Sequence, residues 1–370
     1  MVLTIISHTP HYKKDGLNLG WGPTINEINR LSSLFSKVYH IAPLHSETCP
    51  KSAERYISSK IKYIPIIPTG GVGLFNKLNV LFKLPFNFWR IHKICIKSDW
   101  VHFRAPTNLG LYVLPYLSIF SNKKRWIKYG GSWNQKDIPF TYKLQRLWLL
   151  HNIQNSKVII SGKWPNQKKH LLTFDNPCLS KSEILIARNR FIQKEYFSKL
   201  SICFVGHMDN NKGAGILLES LNNMDLRTFN NIYFVGDGPY RHIYEKKSKK
   251  NKSKNNIYFT GELSRELLNK IYAESHILIL PTLSEGFPKV ISESLARLRP
   301  IIIFEEIKHI LDNRNGIFIC KRNKRNIDKT INYIFKNYKK IQREISKNNF
   351  YTKDNFKKEL LELTNNEFRN

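Results

Sequence analysis

The sequence is short of acidic residues. It has 28 Asp and Glu against 60 Lys and Arg in 370 residues, which gives a formal net charge of +32. An excess of this size indicates an anionic partner: nucleic acid, an anionic membrane surface or an anionic substrate. Basic residues spread over solvated faces explain the same numbers. Composition alone does not decide between these interpretations.

Paired cysteines and long apolar runs are also missing. The five cysteines are scattered without any CxxC spacing, which argues against a disulfide framework and a zinc site and favours a reducing compartment. The longest apolar run, Leu109 to Phe120, is interrupted by Pro115 and is shorter than the roughly 18–20 residues of a membrane span. The N-terminal MVLTIISHTP is interpreted as a strand rather than a signal peptide. We therefore expect a cytoplasmic protein, or one attached peripherally to the inner face of a membrane.

The remaining sequence has the pattern of an α/β protein. Apolar residues make up 41% of the chain, enough for substantial cores, and 370 residues exceed what one core usually supports. Short β-rich runs alternate with helical patterns, which is typical of parallel sheets. The predicted strands are Val2–Ser7, Lys37–Ala42, Trp100–Phe103, Arg125–Tyr129, Lys157–Ser161, Ser201–Val205, Ile232–Val235, Ile257–Thr260, Ile277–Leu280 and Ile301–Phe304.

These elements predict two Rossmann-like domains in series, facing each other across a cleft. A polar connector around Gln193–Lys199 sets the expected boundaries: an N-terminal domain over 1–195, a C-terminal domain over 196–350, and a final helix over 351–370. Ligands of such sheets collect at the carboxyl ends of the strands, so the loops after the strands are where functional residues are expected.

Two loops of the second half suit an anion. In FVGHMDNNKGAG, Lys212 and Gly213 follow a predicted strand and open a helix, where glycine permits close backbone approach and lysine adds a positive charge. FVGDGP, residues 234–239, is a tight turn between strand and helix. A turn that needs glycine for positive φ explains this second loop as well as ligand contact does.

The stretch PTLSEGFPKVISESLARLRP, residues 281–300, has acidic residues on both sides of a Gly-Phe-Pro turn. Pro288 suits the first turn of a helix, which leaves the amides of Gly286 and Phe287 available to a phosphate. A helix with 100° per residue places Glu293 about 200° from Ile291, away from the apolar stripe and towards solvent or a cleft. A carboxylate there can accept hydrogen bonds from a ribose diol.

Taken together, these motifs resemble retaining GT-B glycosyltransferases of family 4. The resemblance is carried by FVGHMDNNKG, FVGDGP, the E-x7-E spacing of Glu285 and Glu293, and DNRNG, in order over about residues 201–318. It implies a GT-B fold, a nucleotide-sugar donor in the C-terminal domain and no metal or other cofactor; the chain also contains no DxD triplet. The implied donor contacts are listed by part of the ligand: Gly206, His207, Lys212, Gly286, Phe287 and Pro288 at the diphosphate, Glu293 at the ribose, Glu262 and Leu263 beside the base, and Glu285 as the catalytic residue facing the sugar.

One position departs from the family pattern. The family usually has arginine directly after the first glycine of the C-terminal domain, where this chain has His207. A neutral imidazole offers one hydrogen-bond donor, whereas the arginine guanidinium offers several together with a positive charge. The affinity for the nucleotide sugar, or the pH dependence of that affinity, is therefore expected to differ from the family's.

The resemblance is looser in the first half. GLNLGWGPTINEINRL, residues 16–31, resembles the family's glycine-containing loop between the first strand and the first helix, with Gly20 and Gly22 as its functional positions; a flexible surface loop is the alternative. HFRAPTNLG and KYGGSWN, the latter with Gly130 and Gly131, follow predicted strands and should line the cleft. The sequence assigns no general base, since His102 lies within a predicted strand, where packing explains it better.

The expected partners follow from these features. They are a nucleotide sugar, a glycan or lipid-linked acceptor of cell-surface polysaccharide biosynthesis, and an anionic membrane surface contacted by the aromatic and basic stretches 76–97 and 142–154. Ordinary amphipathic helices packed on a sheet explain those two stretches equally well. A nucleic-acid-binding protein draws only on the net charge, because no RNA- or DNA-binding motif is present. A sugar-nucleotide epimerase is the alternative within the same fold.

Overall fold

A computed structural model describes the chain over residues 1–69, 74–131, 133, 135, 138–162, 164, 166–173, 179–191, 198–222, 229–249, 256–285, 288–310 and 314–366. The chain forms two units, Met1–Phe174 and Asp175–Asn370. This division falls before the boundary expected at 195/196, because helix Lys181–Phe191 groups with the second unit. The predicted site residues Gly286 and Phe287 lie outside the described residues.

The first unit is built on one ten-stranded sheet. Its strands are β1 Val2–Ile6, β2 His11–Lys14, β3 Leu17–Trp21, β4 Lys37–His45, β5 Ala53–Arg55, β6 Ile61–Ile66, β7 Trp100–Ala105, β8 Lys124–Tyr129, β9 Lys157–Ile160 and β10 Leu171–Thr173. The order is β10-β9-β8-β7-β1-β4-β2-β3-β5, and β6 also pairs with β4. Pairing is parallel except between β2 and β3 and between β3 and β5. The parallel strands at the centre are buried on both faces, which explains why their sequences are apolar runs.

Helices cover this sheet. They are α1 Gly22–Leu31, α2 Leu74–Cys95, α3 Gly110–Pro115 and α4 Phe140–Leu150. Helix α3 begins at Gly110 and gives way to a π-helical turn over Tyr116–Phe120. Of the helices in the described residues, none is both long enough and apolar enough to cross a membrane.

The segment 16–31, which resembles the family's glycine-containing loop, contains strand β3 and helix α1. The structure has a β-hairpin there: β2 and β3 pair antiparallel around Asp15 and Gly16, which have φ of 50° and 77°. An Asp-Gly pair at positive φ is the preferred two-residue hairpin connection. Gly20 therefore lies within β3, and Gly22 begins α1, with the Gly22 amide donating to the carbonyl of Ser52.

The second unit has a six-stranded parallel sheet. Its strands are β11 Leu200–Val205, β12 Phe229–Val235, β13 Ile257–Gly261, β14 Ile277–Leu280, β15 Ile301–Phe304 and β16 Ile317–Cys320, in the order β13-β12-β11-β14-β15-β16. Its helices are α5 Lys181–Phe191, α6 Ala214–Asn222, α7 Arg241–Ser248, α8 Arg265–Glu274, α9 Lys289–Ala296, α10 Lys324–Lys336, α11 Tyr338–Ser346 and α12 Lys353–Asn366. The two parallel-sheet, Rossmann-like domains confirm the predicted fold class.

The C-terminal helix α12 starts against α5. The Lys353 amide donates to the carbonyl of Leu179, and the Lys353 ammonium lies 2.5 Å from a carboxylate oxygen of Glu183. These contacts fix the start of α12 within the second unit. The return of this helix to the first domain, and the facing of the two domains across a cleft, stay predictions.

Candidate functional site

Two loops at the carboxyl edge of the second sheet are joined by hydrogen bonds. The loop after β11 and the loop after β14 meet where the Asn211 carbonyl accepts from the Leu283 amide at 2.8 Å and from the Thr282 hydroxyl at 3.0 Å. The Asn211 side chain donates to the carbonyl of Ser284 at 3.0 Å. Strands β11 and β14 are neighbours, so parallel pairing brings both loops to one edge. The structure thus brings together two segments that the sequence indicated separately.

Gly213 makes this close approach possible. Its φ is +71°, and a Cβ at this position would overlap the carbonyl oxygen of Pro281, at the end of β14. Glycine is required here both for the left-handed backbone and for the contact. The amide of the preceding Lys212 donates to the side chain of Asp209 at 2.8 Å, which fixes the turn that enters α6.

The joined loops place Lys212 and Glu285 in direct contact. The Lys212 ammonium donates to Oε1 of Glu285, and both side chains are partly exposed. The pair therefore sits at the surface of the loop cluster and not in the core. A lysine ammonium held by one carboxylate can exchange that partner for a phosphate oxygen, since both are anionic acceptors of the same hydrogen bonds.

Of the two surroundings expected for Glu293, solvent and a cleft, the structure excludes solvent. The Glu293 carboxylate is buried against α8. Its Oε1 accepts from Nη1 of Arg265 at 2.6 Å, and its Oε2 accepts from the hydroxyl of Tyr272 at 2.9 Å. Burial by itself would raise the pKa of Glu293, but Arg265 and the hydrogen bonds outweigh burial and hold that pKa below its usual value. Glu293 is therefore an ionised carboxylate in a polar cluster.

Two arginines complete this cluster. Arg297 donates to the backbone carbonyl of Glu293 at 2.7 Å and to the Asn269 side chain at 2.6 Å, and it lies over the ring of Tyr272. Arg265, the first residue of α8, has a side chain that is 44% exposed. In the sequence Arg265 follows Ser264, the capping residue of α8, and the predicted base-contacting residues Glu262 and Leu263 come just before. A charged guanidinium therefore lies next to the segment that is predicted to border the nucleotide base. Sequence reasoning missed Arg265 and Tyr272.

The other predicted donor residues are distributed around these loops. The Gly206 amide donates to the Val235 carbonyl at 3.0 Å, and His207 is exposed beside it. Pro288 is buried and caps the start of α9. In FVGDGP, Gly236 has a φ of +131° and contacts the backbone of Gly206 closely, which supports the turn interpretation of that motif. Glu262 and Leu263 are half-buried after β13.

The first unit contains a cavity of about 450 Å³ at the carboxyl ends of β1, β7 and β8. These three strands are neighbours in the order β8-β7-β1, so the cavity lies where such sheets bind ligands. Gly130 lines it, whereas Gly20 does not, and Gly131 follows with a φ of +81°. The lining includes Ser7, Thr9, Trp21, Thr24, Arg104, Pro106, Lys128, Tyr129, Gln135, Ile138 and Tyr142.

A buried carboxylate supports two cations at this cavity. Glu27 of α1 accepts from Nη1 of Arg104 at 2.8 Å, and both of its oxygens accept from Nζ of Lys128 at 2.9 Å. Burial would raise the pKa of Glu27, but Arg104 and Lys128 hold it well below its usual value. His102 is buried in β7 and stacked on Trp126, and burial lowers its pKa to about 3. These contacts support the interpretation of His102 as a packing residue.

Comparison with known proteins finds a family match within the second unit. Residues 199–337 match the family model described as Glycosyl transferases group 1. Protein CapJ of Staphylococcus aureus is 27% identical over 226 residues, which are 56% of this chain and 55% of CapJ, so the match spans about half of that relative.

Solved structures show the same fold over nearly the whole chain. Sucrose-phosphate synthase from Thermosynechococcus elongatus has a TM-score of 0.68 at 14% identity, covering 94% of this chain and 92% of the synthase. HepE from Anabaena, solved in complex with UDP and glucose, has a TM-score of 0.64 at 13% identity, covering 94% and 93%. These likenesses show the GT-B fold. Together with the family match, they support a glycosyltransferase.

Proposed function

We propose that this protein transfers a sugar, with retention of configuration, from a nucleotide-diphosphate sugar to a hydroxyl of a glycan or lipid-linked acceptor in cell-surface polysaccharide biosynthesis. The observation that carries the proposal is the direct contact of Lys212 with Glu285 on two loops that are joined at the carboxyl edge of the second sheet. The same loops lie in the stretch that matches the glycosyltransferase family model.

The chemistry follows from where charge develops. As the bond between the anomeric carbon and the diphosphate oxygen breaks, its electron pair stays on the phosphate, and a fixed cation stabilises that growing charge. In the proposed complex Lys212 exchanges Glu285 for a phosphate oxygen, which leaves the Glu285 carboxylate beside the reacting sugar. The acceptor oxygen bonds to the anomeric carbon on the same face, and its proton goes to the departing phosphate oxygen. We propose that this step uses neither a metal ion nor a protein base.

Glu293 and Arg265 have complementary roles in this proposal. The carboxylate of Glu293 is already ionised and already bonded to Arg265 and Tyr272, so a ribose diol would share it or replace Arg265. Because the Arg265 side chain is 44% exposed, its guanidinium can turn towards a phosphate or a base carbonyl without crossing the core. We therefore add Arg265 to the donor contacts.

Nucleotide binding tests the donor half of the proposal. UDP is the first ligand to try, since HepE was solved with UDP, and GDP and ADP are the comparison set. A matching nucleotide at 100-fold above its Kd should stabilise the full chain by about 2.7 kcal/mol, which is measured as a rise in melting temperature. Lys212→Ala should weaken this binding by about tenfold or more, because a charge-assisted hydrogen bond is lost. Lys270→Ala, at an exposed lysine of α8, is the matched control and should change nothing.

The outcomes separate the alternatives. Sugar transfer to an added acceptor supports the transferase, and release or isomerisation of the sugar without an acceptor supports an epimerase. The third outcome is that single-stranded RNA shifts the melting temperature of the unaltered chain while no nucleotide or nucleotide sugar does. That result would exclude the proposed donor site and favour a nucleic-acid-binding protein.

We also propose peripheral attachment to an anionic membrane surface through α2. Phe82, Phe86 and Trp89 are exposed on this helix, and Arg90 and Lys93 lie over the rings of Phe86 and Trp89 at 4.6 and 4.8 Å. Aromatic rings combined with basic side chains suit the interface of anionic lipid bilayers. Sedimentation with phosphatidylglycerol vesicles should exceed that with phosphatidylcholine vesicles and fall in Trp89→Ala. Equal sedimentation with both vesicles would exclude this attachment.

A further inference from the structure

The cavity of the first unit has a charge that the proposed reaction does not explain. Arg104 and Lys128 both line it, and their residues are direct register partners on β7 and β8. Among the described residues, Glu27 is the carboxylate bonded to both, so Arg104, Lys128 and Glu27 together carry a net charge of +1. Among the described residues that line the cavity, none is acidic.

The cations, and not the carboxylate, face the cavity. Side-chain exposure is 20% for Arg104 and 15% for Lys128 but 6% for Glu27, which does not line the cavity. Glu27 therefore lies behind the two cations and fixes their positions, since it accepts from both at 2.8–2.9 Å. Pre-positioned cations lose little conformational freedom when an anion binds between them.

The rest of the lining suits a sugar ring. Trp21 is exposed and Tyr142 is half-buried at the cavity, where their rings offer apolar faces. Thr9, Thr24 and the Gln135 side chain add hydrogen-bonding groups of the kind that sugar hydroxyls use. A cavity of about 450 Å³ is within the usual range for small-molecule sites.

From these observations we infer that the cavity binds the acceptor and selects a saccharide that carries a carboxylate or a phosphate. Arg104 binds the anionic group through its planar fork, and Lys128 adds a second positive charge. The inference rests on the proposed transfer to a glycan, for which it names the acceptor class. It makes Arg104 a specificity-determining residue and Glu27 a positioning residue.

The test measures saccharide binding to the full chain without any donor. Methyl glucuronide and glucose 6-phosphate are the two anionic probes, methyl glucoside is the neutral one, and inorganic phosphate controls for the anion alone. Saturation-transfer NMR should show that the anionic probes bind at least about tenfold more tightly than methyl glucoside, because a charge-assisted hydrogen bond to Arg104 is added. Arg104→Gln should remove this preference and leave the binding of the neutral probe unchanged.

Controls separate binding from folding. Arg55→Gln, at an exposed arginine of β5, should keep the preference, and Arg104→Lys should keep part of it, since the charge remains but the fork is lost. Melting curves of each variant show whether the first unit stays folded. Preference for only one of the two anionic probes identifies carboxylate or phosphate as the group selected and supports the inference.

Two results would overturn it. Equal binding of neutral and anionic probes, or a preference that survives Arg104→Gln in a folded variant, excludes selection by these cations. Inorganic phosphate that binds as tightly as both anionic saccharides would show an adventitious anion site only. Nucleotide binding at the second unit is measured in a separate experiment, and the saccharide test contains no nucleotide. Failure of the donor proposal therefore leaves the saccharide-binding results interpretable.

Discussion

Replacing Glu293 with glutamine tests the polar cluster around α8 and α9. Glutamine keeps the volume of the side chain but offers one oxygen acceptor, whereas the two oxygens of Glu293 accept from Arg265 and Tyr272 at 2.6 and 2.9 Å. One donor must therefore face the new amide NH2. The Tyr272 hydroxyl is buried and cannot turn to water, so leaving it unpaired costs about 1–3 kcal/mol. Arg265 is 44% exposed and can be solvated, so weakening its ion pair should lower the free energy of unfolding by less than about 1 kcal/mol.

The sum is about 2 kcal/mol of lost unfolding free energy. For a unit the size of Asp175–Asn370, about 1 kcal/mol corresponds to a shift of roughly 2–4 °C, so the melting temperature at pH 7 should fall by roughly 4–8 °C. Urea unfolding followed by circular dichroism measures the same loss as a lower midpoint with an unchanged slope. Glu266→Gln, at an exposed glutamate of α8, is the matched control and should melt with the unaltered chain.

The pH dependence has a definite sign. The pKa of Glu293 in the folded chain lies below its usual value, so its contribution to stability is complete above the unfolded pKa and is lost as the pH falls through the folded pKa. The difference between Glu293→Gln and the unaltered chain should therefore be constant near neutral pH and shrink below about pH 4.5. A variant that melts with the unaltered chain at pH 7 would show that the ion pair contributes nothing. Undiminished UDP binding would remove the ribose role.

Two further predictions concern backbone and histidines. Gly213→Ala should destabilise the chain by more than about 2 kcal/mol, because its Cβ meets the backbone of Pro281, whereas Gly131→Ala, with open space around a similar φ, should cost only about 1 kcal/mol; equal melting shifts would contradict this. His11 and His102 have pKa values lowered by burial to about 4 and about 3, so the unfolded chain takes up protons first as the pH falls below 6.5. Between pH 6.5 and pH 5 each of these two histidines should lower the stability of the chain by about 1.6 kcal/mol. The fall in stability over this range should therefore be about 1.6 kcal/mol smaller in His11→Gln than in the unaltered chain, and an equal fall in both would refute the assignment.

The central strands of both sheets are predictable from local sequence. Ile277–Leu280 and Ile301–Phe304 have the predicted bounds, because each is a continuous apolar run that a parallel sheet buries on both faces. The start of α8 is equally clear: Ser264 precedes it, and its hydroxyl accepts from the Leu267 amide as a capping residue does. In these segments the structure that the local sequence favours is also the structure that the tertiary surroundings stabilise.

The hairpin β2–β3 was missed for a physical reason. Its outer residues Leu17 and Asn18 are exposed, so the strand has no buried alternating face to give a periodic signal. The Asp15–Gly16 pair was the available signal, because it is the preferred connection of a two-residue hairpin. The glycine content of this segment favours the interpretation as a loop, although Gly16 is the residue that closes the hairpin.

The candidate sites depend on contacts that no local pattern contains. A helical wheel predicts the direction of Glu293 relative to its own helix, but it cannot show which element packs on that side. The partner Arg265 is 28 residues away in the chain, and the residues that join Glu27 are 77 and 101 residues away. In a chain with 60 basic residues, many lysines and arginines could pair with each carboxylate. Strand order selects among them: β7 and β8 become neighbours, their register aligns Arg104 with Lys128, and α1 brings one acidic residue to both. The chemistry of each site is therefore set by sheet topology, which the sequence specifies only through the whole fold.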